Sequence, residues 1–157
     1  MIIQVVPIGI PLIIEYIIGN LNSYKMKKNI NLGLLILRIT VAGLMLFHGV
    51  AKLSHLGGIK GILSSNGLSE FIAYGSYITE LIAPVLMIIG FRTRLASLTF
   101  FLGMLTALFL AHSENIFALS KTGCLQIELI LLYALGALVL FFTGAGKYSV
   151  SSSNNWD

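Results

Sequence analysis

Apolar positions in this chain do not alternate or recur on one face. They run continuously, over residues 32–53, 71–91, 95–111 and 124–142, with polar residues gathered between the runs. At a rise of about 1.5 Å per helical residue, runs of roughly 17 to 22 residues reach about 25 to 33 Å, the thickness of a hydrocarbon core. The pattern predicts four membrane-crossing helices. Between the first two runs lies a glycine-rich stretch, 54–70, in which Ile59, Ile62 and Leu63 alternate with polar residues; it predicts a short amphipathic piece at the interface. Phe91-Arg92-Thr93-Arg94 predicts a tight hairpin between the second and third runs. Gly103, Ala107 and Ala111 recur every four residues and give the third helix a thin face for a neighbouring backbone; Gly136 and Gly144, with Leu140 between them, give the fourth a weaker one.

Composition strengthens the membrane reading. With 57% hydrophobic and 10% charged residues, the 157-residue chain carries too little polar surface to solvate a water-soluble domain. The net charge of +4 comes from basic residues scattered at the ends of the runs, with no basic face, which excludes a nucleic-acid partner and leaves a topology signal. One side receives Lys25, Lys27, Lys28, Arg92, Arg94 and Lys147; the other receives Lys52, Lys60 and Lys121. That asymmetry places both termini in the cytoplasm. The expected fold is all-α: a polytopic four-helix transmembrane bundle over 30–150, with a polar tail at 151–157.

Residues 1–29 read as a weak N-terminal extension. The segment is interrupted by Gln4, Pro7, Pro11 and Glu15, lacks the basic start of a signal peptide, and is followed by Met26-Lys27-Lys28, a natural start. Cys124 is the one cysteine, so an internal disulfide or dithiol pair is excluded.

Ionisable residues inside the runs are the candidate chemistry. An ionised side chain at mid-bilayer costs at least about 2.5–3.5 kcal/mol on insertion scales. Arg38 and Glu80 lie roughly 10 and 15 Å from the cytoplasmic ends of helices expected to be antiparallel neighbours, which predicts that they pair, either as a structural register device or as a polar site for a headgroup or proton. Toward the other side, His48 and Lys52 share a face, and His112 and Glu128 lie at similar depth. Two histidines and a carboxylate could bind a divalent metal, although their spacings match no metal motif; the set could instead exchange protons with a quinone-like ring, or remain histidines satisfied by water and a carboxylate paired with Lys52. No phosphate loop, Ser-His-Asp order or haem-attachment motif is present.

Taken in order, Leu37-Arg38, Gly43, His48-Gly49, Lys52-Leu53, Glu80-Leu81, Gly90-Phe91-Arg92-Thr93-Arg94-Leu95-Ala96, Ala107, His112, Glu128 and the closing Gly144-Ala145-Gly146-Lys147-Tyr148-Ser149 resemble the DoxX family of small four-span membrane proteins. The resemblance covers about 30–150. The chain departs from it at Ala145 and Val150, where the family often has proline and aspartate. The resemblance implies a multi-pass protein of the bacterial plasma membrane and, from relatives linked to thiosulfate-to-quinone transfer and to thiol or oxidative stress, a membrane subunit of a redox-linked complex. It carries Arg38, His48, Glu80 and Glu128 over as candidate site residues. The expected partners are the bilayer, redox proteins and further copies of the chain in a homo-oligomer. A quinone is the candidate ligand, with no covalently bound cofactor. A scaffold or assembly factor and a small transporter are the alternatives.

Overall fold

The computed structural model describes residues 13–17, 28–113, 116–121, 123–151 and 153–157. Of the N-terminal extension, 13–17 are described as an exposed helical turn and 28–29 as the residues that lead into the first span; the Met26 start lies outside the described residues. The rest is helical: α1 (Ile30–Leu53), α2 (Gly57–Ser65), α3 (Glu70–Ile89), α4 (Thr93–Ala111) and α5 (Glu128–Thr143). α1, α3 and α4 are each long and apolar enough to cross a membrane. α5 is shorter, 16 residues or about 24 Å. Its predicted run began at 124, but 123–126 turn back on 118–121, with Ser120 N donating to Cys124 O (2.7 Å), Gln126 N to Ala118 O (3.0 Å), and Gly123 at φ +85°. This is a helical membrane bundle.

α1 packs against α3 and α5, and α4 against α3 and α5, so each of the four helices touches two neighbours. Val41, Ala42 and Met45 meet Ala83, Met87, Ala96, Phe100, Met104, Tyr133, Ala134, Ala137 and Leu140 at the centre. Many large apolar side chains point outward: Phe47, Phe71, Leu132 and Phe142 are more than half exposed, as expected of surface that faces lipid tails. Small residues set the close approaches. A Cβ on Gly136 would lie 2.7 Å from Val41 Cγ2, and one on Gly103 would lie 2.6 Å from Thr79 Cβ. The Gly103 face thus meets α3, as the small-residue stripe predicted.

One end of the bundle, which holds the start of α1, the α3–α4 turn and the last residues, is closed by the chain itself. Gly90 ends α3 at φ +73°, with Phe91 N donating back to Leu86 O (3.0 Å), a left-handed helix end. The segment after α5 then lies over this turn. Val150 N and Ser151 N donate to the orphan carbonyls of Ile89 and Gly90, at 3.1 and 3.2 Å, while Trp156 O accepts from Arg94 N (3.0 Å). Asp157 Oδ1 accepts from Arg92 N (3.1 Å), so the tail satisfies both the end of α3 and the start of α4. Asn31 Oδ1 fixes the segment from α1 by accepting from Lys147 N (3.0 Å).

Candidate functional site

The expected Arg38–Glu80 pair does not form. Arg38 is fully buried and its Nη2 donates to Tyr148 O, while Glu80 bonds Lys52, Nζ to Oε1 at 2.5 Å. The reason lies in side-chain direction, which a count of depth leaves out. Side chains on a helix lean toward its N-terminus. On α1 that lean carries Arg38 toward the closed end, where Gly90, lacking a Cβ, leaves room for the guanidinium. It carries Lys52 inward from the loop end, and on the antiparallel α3 it carries Glu80 outward to meet the lysine. Gly49, one turn before Lys52, allows the meeting: a Cβ there would collide with the Glu80 carbonyl and with Leu81.

Glu80 is 6% exposed and sits in a π-helical turn, Ile78–Ile82, inside α3. Such single turns carry one residue too many for the α-helical ladder and are frequent at functional sites. Carboxylate Oε2 is buried without a partner among the described residues. Lys52, about one third exposed, keeps further N–H donors.

The pair lies in the wall of a cavity of about 410 Å³ bounded by α2, the first half of α3 and the second half of α4. That volume falls within the range of roughly 300–1,000 Å³ typical of small-ligand sites. Ile59, Ile62 and Leu63 form one wall, and Leu102, Ala107 and Leu110 the opposite one. Four hydroxyl groups also line it, each turned back on its own helix: Ser76 to Ala73 O (2.8 Å), Thr79 to Ser76 O (3.3 Å), Thr99 to Leu95 O (3.0 Å) and Thr106 to Leu102 O (2.9 Å). The cavity is therefore apolar with one ionic corner.

His48, His112 and Glu128 stay outside it. His48 is exposed, with Nδ1 3.5 Å from Leu44 O and its ring edge-on to Tyr133 at 6.4 Å. Glu128 is exposed in the first turn of α5, and His112 follows the last turn of α4. No three His, Cys, Asp or Glu residues come together as a metal site among the described residues. Tyr133, buried between His48 and Phe100, carried no signal in the sequence beyond its apolar run.

A second polar group forms at the closed end. Arg38 Nε and Nη1, Thr93 Oγ1 and Ser97 Oγ are buried without partners among the described residues. Asp157, 8% exposed, accepts from Ser151 Oγ (2.7 Å) and Asn154 N (2.8 Å) as well as Arg92 N. The Ser151 hydroxyl first, then the two backbone donors and the Arg92 charge, hold its carboxyl below the usual carboxylate range against the opposing effect of burial.

The DoxX family model matches residues 33–113, just over half of the chain. The chain belongs to the DoxX family. A protein of Bacillus subtilis (strain 168) named "Putative oxidoreductase CatD" is 32% identical over 83 residues, which are 53% of this chain and 62% of that relative. The chain thus spans less than two thirds of the relative's length. No solved structure matches. The DoxX match contains α1 from Gly33 onward and all of α2 to α4, and with them Arg38, Lys52, Glu80 and the whole cavity; Glu128 and the tail lie beyond it.

Proposed function

We propose that this DoxX protein is a subunit of a redox-linked assembly in the bacterial plasma membrane, and that its Lys52–Glu80 cavity receives a quinone-class ligand from the bilayer. The observation that carries this reading is a half-buried ion pair, one carboxylate oxygen of which has no partner among the described residues, in the wall of an otherwise apolar cavity of a membrane bundle. Ionisable groups at such depth are expensive and mark ligand or proton sites. The relative's name as an oxidoreductase supports the redox side of the reading. In this reading the apolar walls hold the tail and ring, Lys52 and Glu80 orient the oxygenated edge, and a quinone would supply the two-electron chemistry. The electron donor belongs to a partner protein.

The test compares membranes from cells lacking the gene with membranes restored by the wild type or by Lys52→Met/Glu80→Leu, which removes both charges together and so strands neither. Quinone reduction driven by thiosulfate or by thiols should be lower without the gene, return with the wild type, and fail to return with the double variant at equal abundance. Unchanged reduction on deletion would refute the redox reading.

A further inference from the structure

At the closed end of the bundle, apart from the Lys52–Glu80 cavity, lies an open cleft of about 370 Å³ lined by Arg94, Phe141, Phe142, Asn155 and Trp156. One wall is the last turn of α5, where Phe142 is exposed; the other is the tail, where Trp156 is exposed. Arg94 is held in place between them. Its backbone N–H donates to Trp156 O (3.0 Å), its Nη1 donates to Asn155 O (3.3 Å), and its Nε is buried beside Gly144. A guanidinium carries five N–H donors, and the Nη1 bond uses one. Nη2 has no partner among the described residues and, unlike Nε, is not enclosed. Nor does any carboxylate come within ion-pair distance of Arg94 among the described residues. Asp157, the tail's one carboxylate, spends its oxygens on Arg92 N, Ser151 Oγ and Asn154 N.

A planar cation with free donors, fixed in advance and without a counter-charge, fits an oxyanion, and the fork of a guanidinium matches phosphate geometry. The rest of the cleft says what carries the phosphate. Free phosphate would leave the aromatic wall unused. A phospholipid uses both parts: its phosphodiester meets Arg94 while its glycerol and chains run along Phe142, and Trp156 stands at headgroup level, where tryptophan is favoured. The rings alone would also accept a choline-type ammonium, but the Arg94 charge in the same cleft repels one. Lys28, Arg92 and Lys147 add positive charge at this end against the single carboxylate of Asp157. We infer that the cleft binds the phosphate of an anionic phospholipid of the phosphatidylglycerol type, with Arg94 as its ligand. Because the tail builds one wall and holds Arg94, bound lipid and docked tail stabilise each other. The site is independent of the quinone-class ligand.

Trp156 lies in the wall and serves as the probe. The full chain is reconstituted in phosphatidylcholine vesicles, and quenching of its fluorescence is compared for phosphatidylglycerol and phosphatidylcholine brominated alike near the ester end of their chains. Relative association at Trp156 should favour phosphatidylglycerol by about fivefold. Arg94→Gln should abolish the preference. Asn155→Glu, at an exposed position, leaves Arg94 and the backbone bonds in place but sets a carboxylate in the cleft, and it should do the same. Lys147→Gln removes an equal charge from the same end but outside the cleft, and should leave the preference within about twofold of wild type. Equal quenching of the wild type by the two lipids would overturn the proposal. A preference that survives both cleft variants, or falls as far with Lys147→Gln, would belong to general surface charge and overturn the assignment to this cleft. Loss of the preference on adding millimolar inorganic phosphate at constant ionic strength would make free phosphate the ligand and overturn the lipid.

Discussion

Replacing Lys52 with methionine keeps most of the side-chain length and removes the only cation within bonding distance of Glu80 among the described residues. At an N–O separation of 2.5 Å and an effective dielectric of about 20, the gross attraction is of order 6–7 kcal/mol. Desolvation of Glu80, only 8% exposed in its side chain, consumes several of these. Lys52, one third exposed, brings the pair below the roughly 3–5 kcal/mol seen when a fully buried pair is broken, and well above the 0.2–1 kcal/mol of a surface pair. Lys52→Met should therefore destabilise the bundle by about 2–4 kcal/mol. Adding Glu80→Leu should recover at least about half of that, because the stranded charge is gone. Equilibrium unfolding of the four proteins of this cycle in mixed micelles gives the coupling directly. A single variant within about 0.5 kcal/mol of wild type, or a double variant whose loss is the sum of the two singles, would refute the pairing.

Gly90→Ala should cost about 2–4 kcal/mol in the same assay, from the left-handed φ of +73° and from overlap of the new Cβ with the Arg38 guanidinium and Ser149; a loss below about 1 kcal/mol would show that Arg38 is not held against this turn. Asp157 titrates below the usual carboxylate range when docked, so its contribution is present above the unfolded value near pH 3.9 and disappears as pH falls through the lowered one. Trp156, the chain's one tryptophan, reports that release by fluorescence, and Asp157→Asn should abolish the acid transition; an unchanged transition would assign it elsewhere. In a Cys124→Ser background, Asn66→Cys should react with an impermeant thiol reagent on intact cells and Ser153→Cys should not. The reverse pattern would invert the topology.

The spans were legible because length and apolarity alone decide them: 32–53, 71–91 and 95–111 fall within two residues of the helices at every end, and the last run lost its first residues to the turn at Gly123. Burial of Arg38 and Glu80 was legible for the same reason. Their partners were not, since depth along a helix says nothing of the direction in which a side chain leans, and that direction gave Glu80 to Lys52. The cavity was not legible either. It depends on where Gly103 lets α4 approach Thr79 and on a π-turn that no residue pattern at 78–82 announces. His48, His112 and Glu128 matched in depth, but depth does not fix the azimuth of a side chain around its helix, and they lie apart from the cavity. Asp157 carried no signal in a tail that reads simply as polar, yet it caps the turn that joins two spans.

Photoaffinity labelling tests the central claim most directly, because it reports where a quinone-class ligand rests without requiring turnover or a partner. A decyl-quinone bearing an aryl azide, irradiated with the full chain in micelles and mapped by mass spectrometry, should label peptides from 57–82 and 99–111, with labelling suppressed by unlabelled quinone and by Ala107→Leu, which fills the cavity. Labelling confined to peptides around His48, His112 and Glu128, or insensitive to competitor, would contradict the Lys52–Glu80 cavity as the site.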